Sequence, residues 1–197
     1  MADIPSLVFI SGGVRSGKSS FAEKKAVEIH KKTGARLHYL ATGMPSDEEM
    51  VRRIEKHQQD RITDGYQWIT IEQHTRIEKA LEWLGVQDII LLDCVTTLLN
   101  NEWFSTSAEM EDTFLLNVKE TIVKGISKLK EHALTVIVVS NEVLNDLPSE
   151  NELVFKYQRV LGHIHQELVR LADEAYLVEN GIPIKMKGEK SPAVDQR

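Results

Sequence analysis

Apolar runs of strand type recur along the chain at Leu7 to Ile10, Leu37 to Ala41, Trp68 to Ile71, Ile89 to Leu92, Leu134 to Val139 and Tyr176 to Val178. They are continuous rather than alternating, so each reads as a strand covered on both faces. Longer stretches of helical spacing separate them. That order predicts an α/β fold in three layers, with a mostly parallel sheet between helices. Ser19 to Lys32 reads as the first helix, with Phe21, Ala22, Ala26 and Ile29 toward the sheet and lysines outward, and Gly34 ends it. Helices are also predicted over Glu109 to Lys130 and Glu152 to Leu171. Ser46 is a good N-cap followed by acids in the first turn, so another helix should run from Asp47 to Arg61. Asn180-Gly181 has the signature of a hairpin turn, and Ile182 to Met186 would then form an antiparallel edge strand. Residues 1–187 read as one catalytic domain and 188–197 as a polar tail.

Bulk composition narrows the partners. A chain of 197 residues with 42% hydrophobic and 27% charged residues is long enough to bury a full sheet. The formal charge of -6, with no run of Lys or Arg, argues against a dedicated nucleic-acid or membrane surface, because both need a basic footprint. No apolar stretch of about 18 residues and no charged-apolar-small leader is visible, so the expected compartment is cytoplasmic. Cys94 has no second cysteine to pair with and reads as a small core residue.

The chemistry begins where the first strand ends. Gly12-Gly13-Val14-Arg15-Ser16-Gly17-Lys18-Ser19 has the phosphate-loop spacing, in which backbone N–H groups wrap a polyphosphate. Lys18 would reach the β- and γ-phosphates and Ser19 would offer its hydroxyl to Mg²⁺. A second apolar run closes in Asp93, the carboxylate such a site needs on a neighbouring strand to hold the metal or its waters. Any buried strand can end in an Asp that caps the next element, so the loop upstream is what favours a metal-side role. Glu72 closes the Trp68 to Ile71 strand at the same carboxyl edge, where it is either a ligand contact or a solvated charge.

Met50, Ile54, His57 and Arg61 fall at steps of four, three and four on one stripe of the 47–61 helix, which turns His57 toward protein. Two readings remain open on the residues alone. His57 is either a packed histidine satisfying one hydrogen bond or a nucleophile toward a nucleotide α-phosphate, with Arg61 one turn on to stabilise the charge.

Several blocks in order then resemble the adenosylcobinamide kinase / adenosylcobinamide-phosphate guanylyltransferase family of cobalamin biosynthesis. They are the loop Gly12 to Ser19, Tyr39-Leu40-Ala41-Thr42 with Arg53-Ile54 and His57, Trp68 to Glu72, Leu92 to Leu98, Val139-Ser140-Asn141-Glu142-Val143, and Leu171 to Val178 with Gly181-Ile182-Pro183. The resemblance implies two reactions. ATP or GTP phosphorylates the aminopropanol hydroxyl of adenosylcobinamide, and GTP then donates GMP to that phosphate through a guanylylated histidine, which by position is His57. It implies nucleotide contacts from Gly12, Gly13, Val14, Arg15, Ser16, Gly17, Lys18 and Ser19. It adds Thr42, Gly43 and Met44, then Gln58, Gln59, Asp60 and Arg61, and finally Glu72 and Asp93. It also implies Mg²⁺ on Ser19 and Asp93, and a homotrimer.

The chain departs from that pattern at three places. The family's Arg after the histidine is Gln58, its closing Arg-Pro is Arg61-Ile62, and its Gly-x-Gly loop is Leu144-Asn145-Asp146-Leu147-Pro148. His165 stands where the family often carries Asn. A kinase-only relative would keep Lys18 and Asp93 without needing His57, and a GTP-binding switch would bind nucleotide without forming a phosphorylated corrinoid.

Overall fold

The structure is a computed structural model that describes residues 4–44, 52, 59, 65–105, 112–142 and 151–188. Its centre is a seven-stranded sheet. In chain order the strands are β1 (Leu7–Gly12), β2 (Leu37–Ala41), β3 (Trp68–Glu72), β4 (Ile89–Asp93), β5 (Thr135–Asn141), β6 (Glu174–Glu179) and β7 (Ile182–Lys187). Across the sheet they lie in the order β3-β2-β4-β5-β1-β6-β7. All pairings are parallel except β6 with β7, which the Asn180-Gly181 hairpin makes antiparallel. The expected α/β architecture with an antiparallel edge strand is therefore present.

Helix α1 (Lys18–Thr33) follows β1 and lies on one face of the sheet. Under it are Val8, Ile10, Leu37, Tyr39, Ile89, Leu91, Ile137 and Val139. The opposite face is covered by α2 (Val95–Phe104), α3 (Asp112–His132), α4 (Glu152–Leu171) and a 3₁₀ turn over Ile77–Trp83. Leu7, Phe9, Leu40, Ile90, Leu92, Val136 and Val138 fill that side. Odd and even positions of each strand thus serve different helix layers, and each fully buried Leu or Ile is worth about 1.5–3 kcal/mol.

Two expectations are corrected here. β3 is not buried on both faces: Ile69, Thr70 and Glu72 are exposed, because it is an edge strand and the described residues leave one face of it uncovered. Lys25 of α1 does not point to solvent. It is half-buried, with Nζ bonded to the Glu174 carboxylate and 3.0 Å from the Tyr176 hydroxyl. Gly34 does end α1, at φ 71° with its N–H on the His30 carbonyl. Helix α2 and the 3₁₀ turn were not anticipated from the sequence.

Candidate functional site

The phosphate loop joins the carboxyl end of β1 to α1 and is shaped by its own backbone. Ser16 N–H donates to the Gly13 carbonyl at 3.2 Å, and Phe21 N–H to the Gly17 carbonyl at 3.0 Å. Arg15 and Gly17 both take positive φ, 60° and 90°. Gly12 has no room for a side chain, since a Cβ there would lie 2.4 Å from the Val178 carbonyl oxygen and 2.6 Å from Ser16 Oγ. The β6–β7 turn braces the loop from the far end of the chain, with Gly181 N–H donating to the Ser16 carbonyl at 2.8 Å.

What the loop presents is anion-seeking. Helix α1 starts with no side-chain cap and no acid in its first turn, so its leading N–H groups and positive dipole end are uncompensated. Lys18 is buried at 3% exposure, with Nζ 3.0 Å from the Gly13 carbonyl. Ser16 Oγ is buried without a hydrogen-bond partner among the described residues. Val14 and Arg15 stand out from the loop into solvent.

Asp93 ends β4, which is not the strand beside β1. β5 lies between them, and Asp93 stands level with Val139 and, one strand further, Ile10. Two strand spacings put the β4 and β1 backbones about 10 Å apart. The Asp93 carboxylate therefore stands across β5 from the loop. Asp93, Gly12 and Asn141 occupy odd or even positions that all face the α1 layer, as their neighbours Leu91, Ile10 and Val139 do. The Asp93 carboxylate accepts a hydrogen bond from the Tyr39 hydroxyl at 3.1 Å, which fixes one oxygen and leaves the other.

Ser19 and Asp93 are hard oxygen donors on one face of the sheet, a set that suits Mg²⁺, which takes one or two protein oxygens and completes its shell with phosphate and water. Among the described residues no cluster of three or more His, Cys, Asp or Glu is poised to hold a metal alone.

Thr42 is wholly buried. Its hydroxyl receives the Cys94 N–H at 2.9 Å and reaches the Cys94 carbonyl at 2.9 Å, so it locks the exit of β2 to the exit of β4. Asn101 of α2 donates to the carbonyls of Thr42 and His74 at 2.8 and 2.9 Å. Gly43 follows half-buried and Met44 is exposed. Glu72 lies at the carboxyl edge as expected, but on β3, four strand spacings or about 19 Å from β1. The structure does not bring it to the phosphate loop. Gln59 is helical and exposed. His57, Gln58, Asp60 and Arg61 lie outside the described residues.

Sequence reasoning missed a buried polar chain behind β5. Asn141 N–H donates to Thr96 Oγ1 at 2.8 Å, Thr96 Oγ1 is 3.3 Å from Ser140 Oγ, and Ser140 Oγ is 2.7 Å from His165 Nε2. The Tyr157 hydroxyl adds a bond to the Thr96 carbonyl at 3.0 Å. Burial pushes the His165 imidazole down to about 4, so it is neutral. The signal available was a Ser-Asn pair closing an apolar strand, beside a histidine on an apolar helix stripe.

A family description, cobinamide kinase / cobinamide phosphate guanyltransferase, matches residues 8–186 of the chain. The chain is 28% identical over 188 residues to the bifunctional adenosylcobalamin biosynthesis protein CobU of Escherichia coli, covering 92% of this chain and 99% of that one. It is 30% identical over 188 residues to the protein of the same name from Salmonella typhimurium, with the same coverage. A bifunctional adenosylcobalamin biosynthesis protein CobP of Pseudomonas aeruginosa is 29% identical over 181 residues. Among solved structures an ATPase domain superposes with a TM-score of 0.55 at 14% identity, covering 94% of this chain and 78% of that one. That likeness is one of fold.

Proposed function

Because the chain belongs to the cobinamide kinase / cobinamide phosphate guanyltransferase family, we propose that it phosphorylates adenosylcobinamide with ATP or GTP and then transfers GMP from GTP to the product through His57. The observation that carries the reading is the uncapped, acid-free start of α1, wrapped by a glycine loop with a buried lysine. A chain of polyphosphate is the ligand that satisfies it.

In the first reaction the loop amides and Lys18 hold the triphosphate and draw charge off the γ-phosphoryl group as the aminopropanol oxygen attacks it. The new bond is oxygen to γ-phosphorus, the bond to the bridging oxygen breaks, and the hydroxyl proton is lost. In the second, a ring nitrogen of His57 attacks the α-phosphorus of GTP, and the bond to pyrophosphate breaks. A phosphate oxygen of the corrinoid then attacks the same phosphorus and the P–N bond breaks, giving adenosylcobinamide-GDP. The covalent stage divides one hard displacement into two easier ones. Ser19 and Asp93 would hold Mg²⁺, which when bound neutralises phosphate charge.

The enzyme is read as a cytoplasmic homotrimer of one-domain subunits. Its dependence on nucleoside triphosphates supports the location. The assembly is supported by the exposed Ile182, Ile184 and Met186 along β7, and sedimentation at micromolar concentration checks it. Among the described residues no helix is long and apolar enough to cross a membrane.

Incubation with GTP labelled at the α-phosphate tests the histidine. Wild type should carry an acid-labile label and His57→Ala none. Absence of label on wild type, or its persistence in the variant, overturns the covalent step.

A further inference from the structure

Asn141 closes β5, the strand inserted between the phosphate-loop strand and the strand of Asp93. It is paired directly with Gly12, and the next residue ties the two strands again, with Glu142 N–H on the Gly12 carbonyl at 2.8 Å. Its position in the strand turns it to the α1 face, where Lys18 and Ser19 begin their helix. Asn141 lies level with Gly12 and two residues beyond Val139, the residue level with Asp93, on the same face of the sheet.

The Asn141 amide is poorly satisfied at both ends. Oδ1 is buried with no hydrogen-bond partner among the described residues. Nδ2 has the Cys94 sulfur at 4.0 Å, the weakest kind of acceptor at the longest useful distance. A buried amide left this way costs roughly 1–3 kcal/mol, a cost that a bound group relieves. Turning the amide over about its last torsion satisfies both ends once a phosphoryl oxygen is present. Oδ1 then accepts from the Cys94 thiol, whose sulfur already has the Thr97 hydroxyl 3.2 Å away, and Nδ2 is free to donate forward.

The backbone beneath is fixed from the other face. With His165 accepting at Nε2, the bonds run in one direction, from Asn141 N–H to Thr96, from the Thr96 hydroxyl to Ser140, and from the Ser140 hydroxyl to His165. Each hydroxyl in that chain donates once and accepts once. An ordered chain of this kind holds a strand end to a fraction of an ångström, which is the tolerance a transition-state contact requires.

We propose that the Asn141 side-chain amide donates to the terminal phosphoryl group of the bound triphosphate during the kinase step, and that His165 positions it through Ser140 and Thr96. The inference rests on the phosphate loop holding a triphosphate as described above. It makes Asn141 a catalytic residue for attack at the γ-phosphorus. In guanylyl transfer, where the α-phosphorus is attacked and pyrophosphate leaves, the same contact is two phosphates away from the reacting centre.

The test compares Asn141→Ala, the isosteric Asn141→Asp, His165→Leu, His165→Gln and Lys18→Ala, using ATP with adenosylcobinamide for the kinase step and α-labelled GTP for guanylylation. Asn141→Ala should lower kinase kcat by about tenfold to a hundredfold, as loss of one hydrogen bond to a charged group does, with ATP KM little changed and guanylylation less affected. Asn141→Asp should lose more, because it sets a carboxylate against phosphate. His165→Leu should lower kinase kcat without raising ATP KM, and His165→Gln, whose carbonyl can still accept from Ser140, should recover part of it. Unchanged kinase kcat in Asn141→Ala overturns the proposal, as does an equal loss in both reactions alongside a lowered melting temperature. Lys18→Ala separates the two levels. If it abolishes turnover while Asn141→Ala leaves kinase kcat unchanged, the loop stands and the Asn141 contact falls; if Lys18→Ala too is fully active, the triphosphate site itself is misplaced.

Discussion

The two ends of the sheet are built to opposite rules. At the amino edge, polar groups are closed on one another. The Asp88 carboxylate takes both Arg36 nitrogens at 2.8 and 3.0 Å and the Gly85 N–H at 2.7 Å. His38 is the exception on this edge: Nε2 comes within 2.9 Å of the same carboxylate off the angle of a hydrogen bond, and Nδ1 is buried without a partner among the described residues. Asp173 accepts from Ser6 N–H, the Ser6 hydroxyl and Leu7 N–H, and the Thr135 hydroxyl donates to the Pro5 carbonyl. At the carboxyl edge the reverse holds. Helix α1 starts uncapped, Ser16 Oγ and Asn141 Oδ1 are buried without partners among the described residues, and Lys18 folds back on its own loop. Strand ends that serve stability finish their hydrogen bonding internally, and strand ends that serve a ligand leave it unfinished.

That contrast is broken most severely by Lys18→Ala, which should cost both reactions about a hundredfold or more in kcat while moving the melting temperature little. The outcome is read in the paired assays above alongside thermal unfolding. The mirror-image change, Asp88→Ala at the closed edge, should lower stability by about 2–4 kcal/mol, because Gly85 N–H and the Arg36 guanidinium lose their buried acceptor. Nucleotide affinity per folded molecule should persist. Urea unfolding combined with nucleotide titration distinguishes these two losses, and loss of affinity without loss of stability in Asp88→Ala would erase the distinction between the edges.

Acid should act on the buried histidines first and on the closed carboxylates after them. Burial alone would raise Asp88 and Asp173, but the hydrogen bonds from Arg36 and Gly85, and from Ser6 and Leu7, outweigh it and hold both carboxyls below their usual range. Burial lowers His38, with Asp88 opposing, and lowers His165 to about 4. All four groups bind fewer protons folded than unfolded, so the stability they give is complete above about pH 6.5. It is lost in stages, from His165 between about pH 6.5 and 4, from His38 as pH falls below about 6.5, and from the carboxyls as pH falls through their depressed values. Urea midpoints measured from pH 7.5 to 4 should fall monotonically, and His165→Gln should flatten the upper part of that decline. Smallest of all, Lys124→Ala removes an exposed pair with Glu120 on α3 and should leave both activity and midpoint unchanged.

Much of this was legible in the sequence because it depends on local chemistry. The strand runs, the glycine loop, the Asn180-Gly181 turn and the α4 boundaries at Glu152 and Leu171 all follow from spacing and turn residues, and the structure has them. Helix α2 was hidden by its opening Val95-Thr96-Thr97, β-branched residues that favour strands, although Val95, Leu98, Leu99 and Trp103 do form one buried stripe. The insertion of β5 between β1 and β4 could not be read at all, since strand order is a property of tertiary pairing. With it went the position of Asn141, and the separation of Glu72 from the loop. Lys25 misled for a related reason: its partners, Glu174 and Tyr176, lie on a strand some 150 residues later.

The bond from Gly181 N–H to the Ser16 carbonyl joins residues far apart in the sequence. During synthesis the glycine loop leaves the ribosome before β2, β3, β4 and β5, whereas β6 beside its strand, and the turn that braces it, follow all four. The loop therefore emerges long before its bracing, and its backbone has the shape described above only once the β6–β7 hairpin has been added.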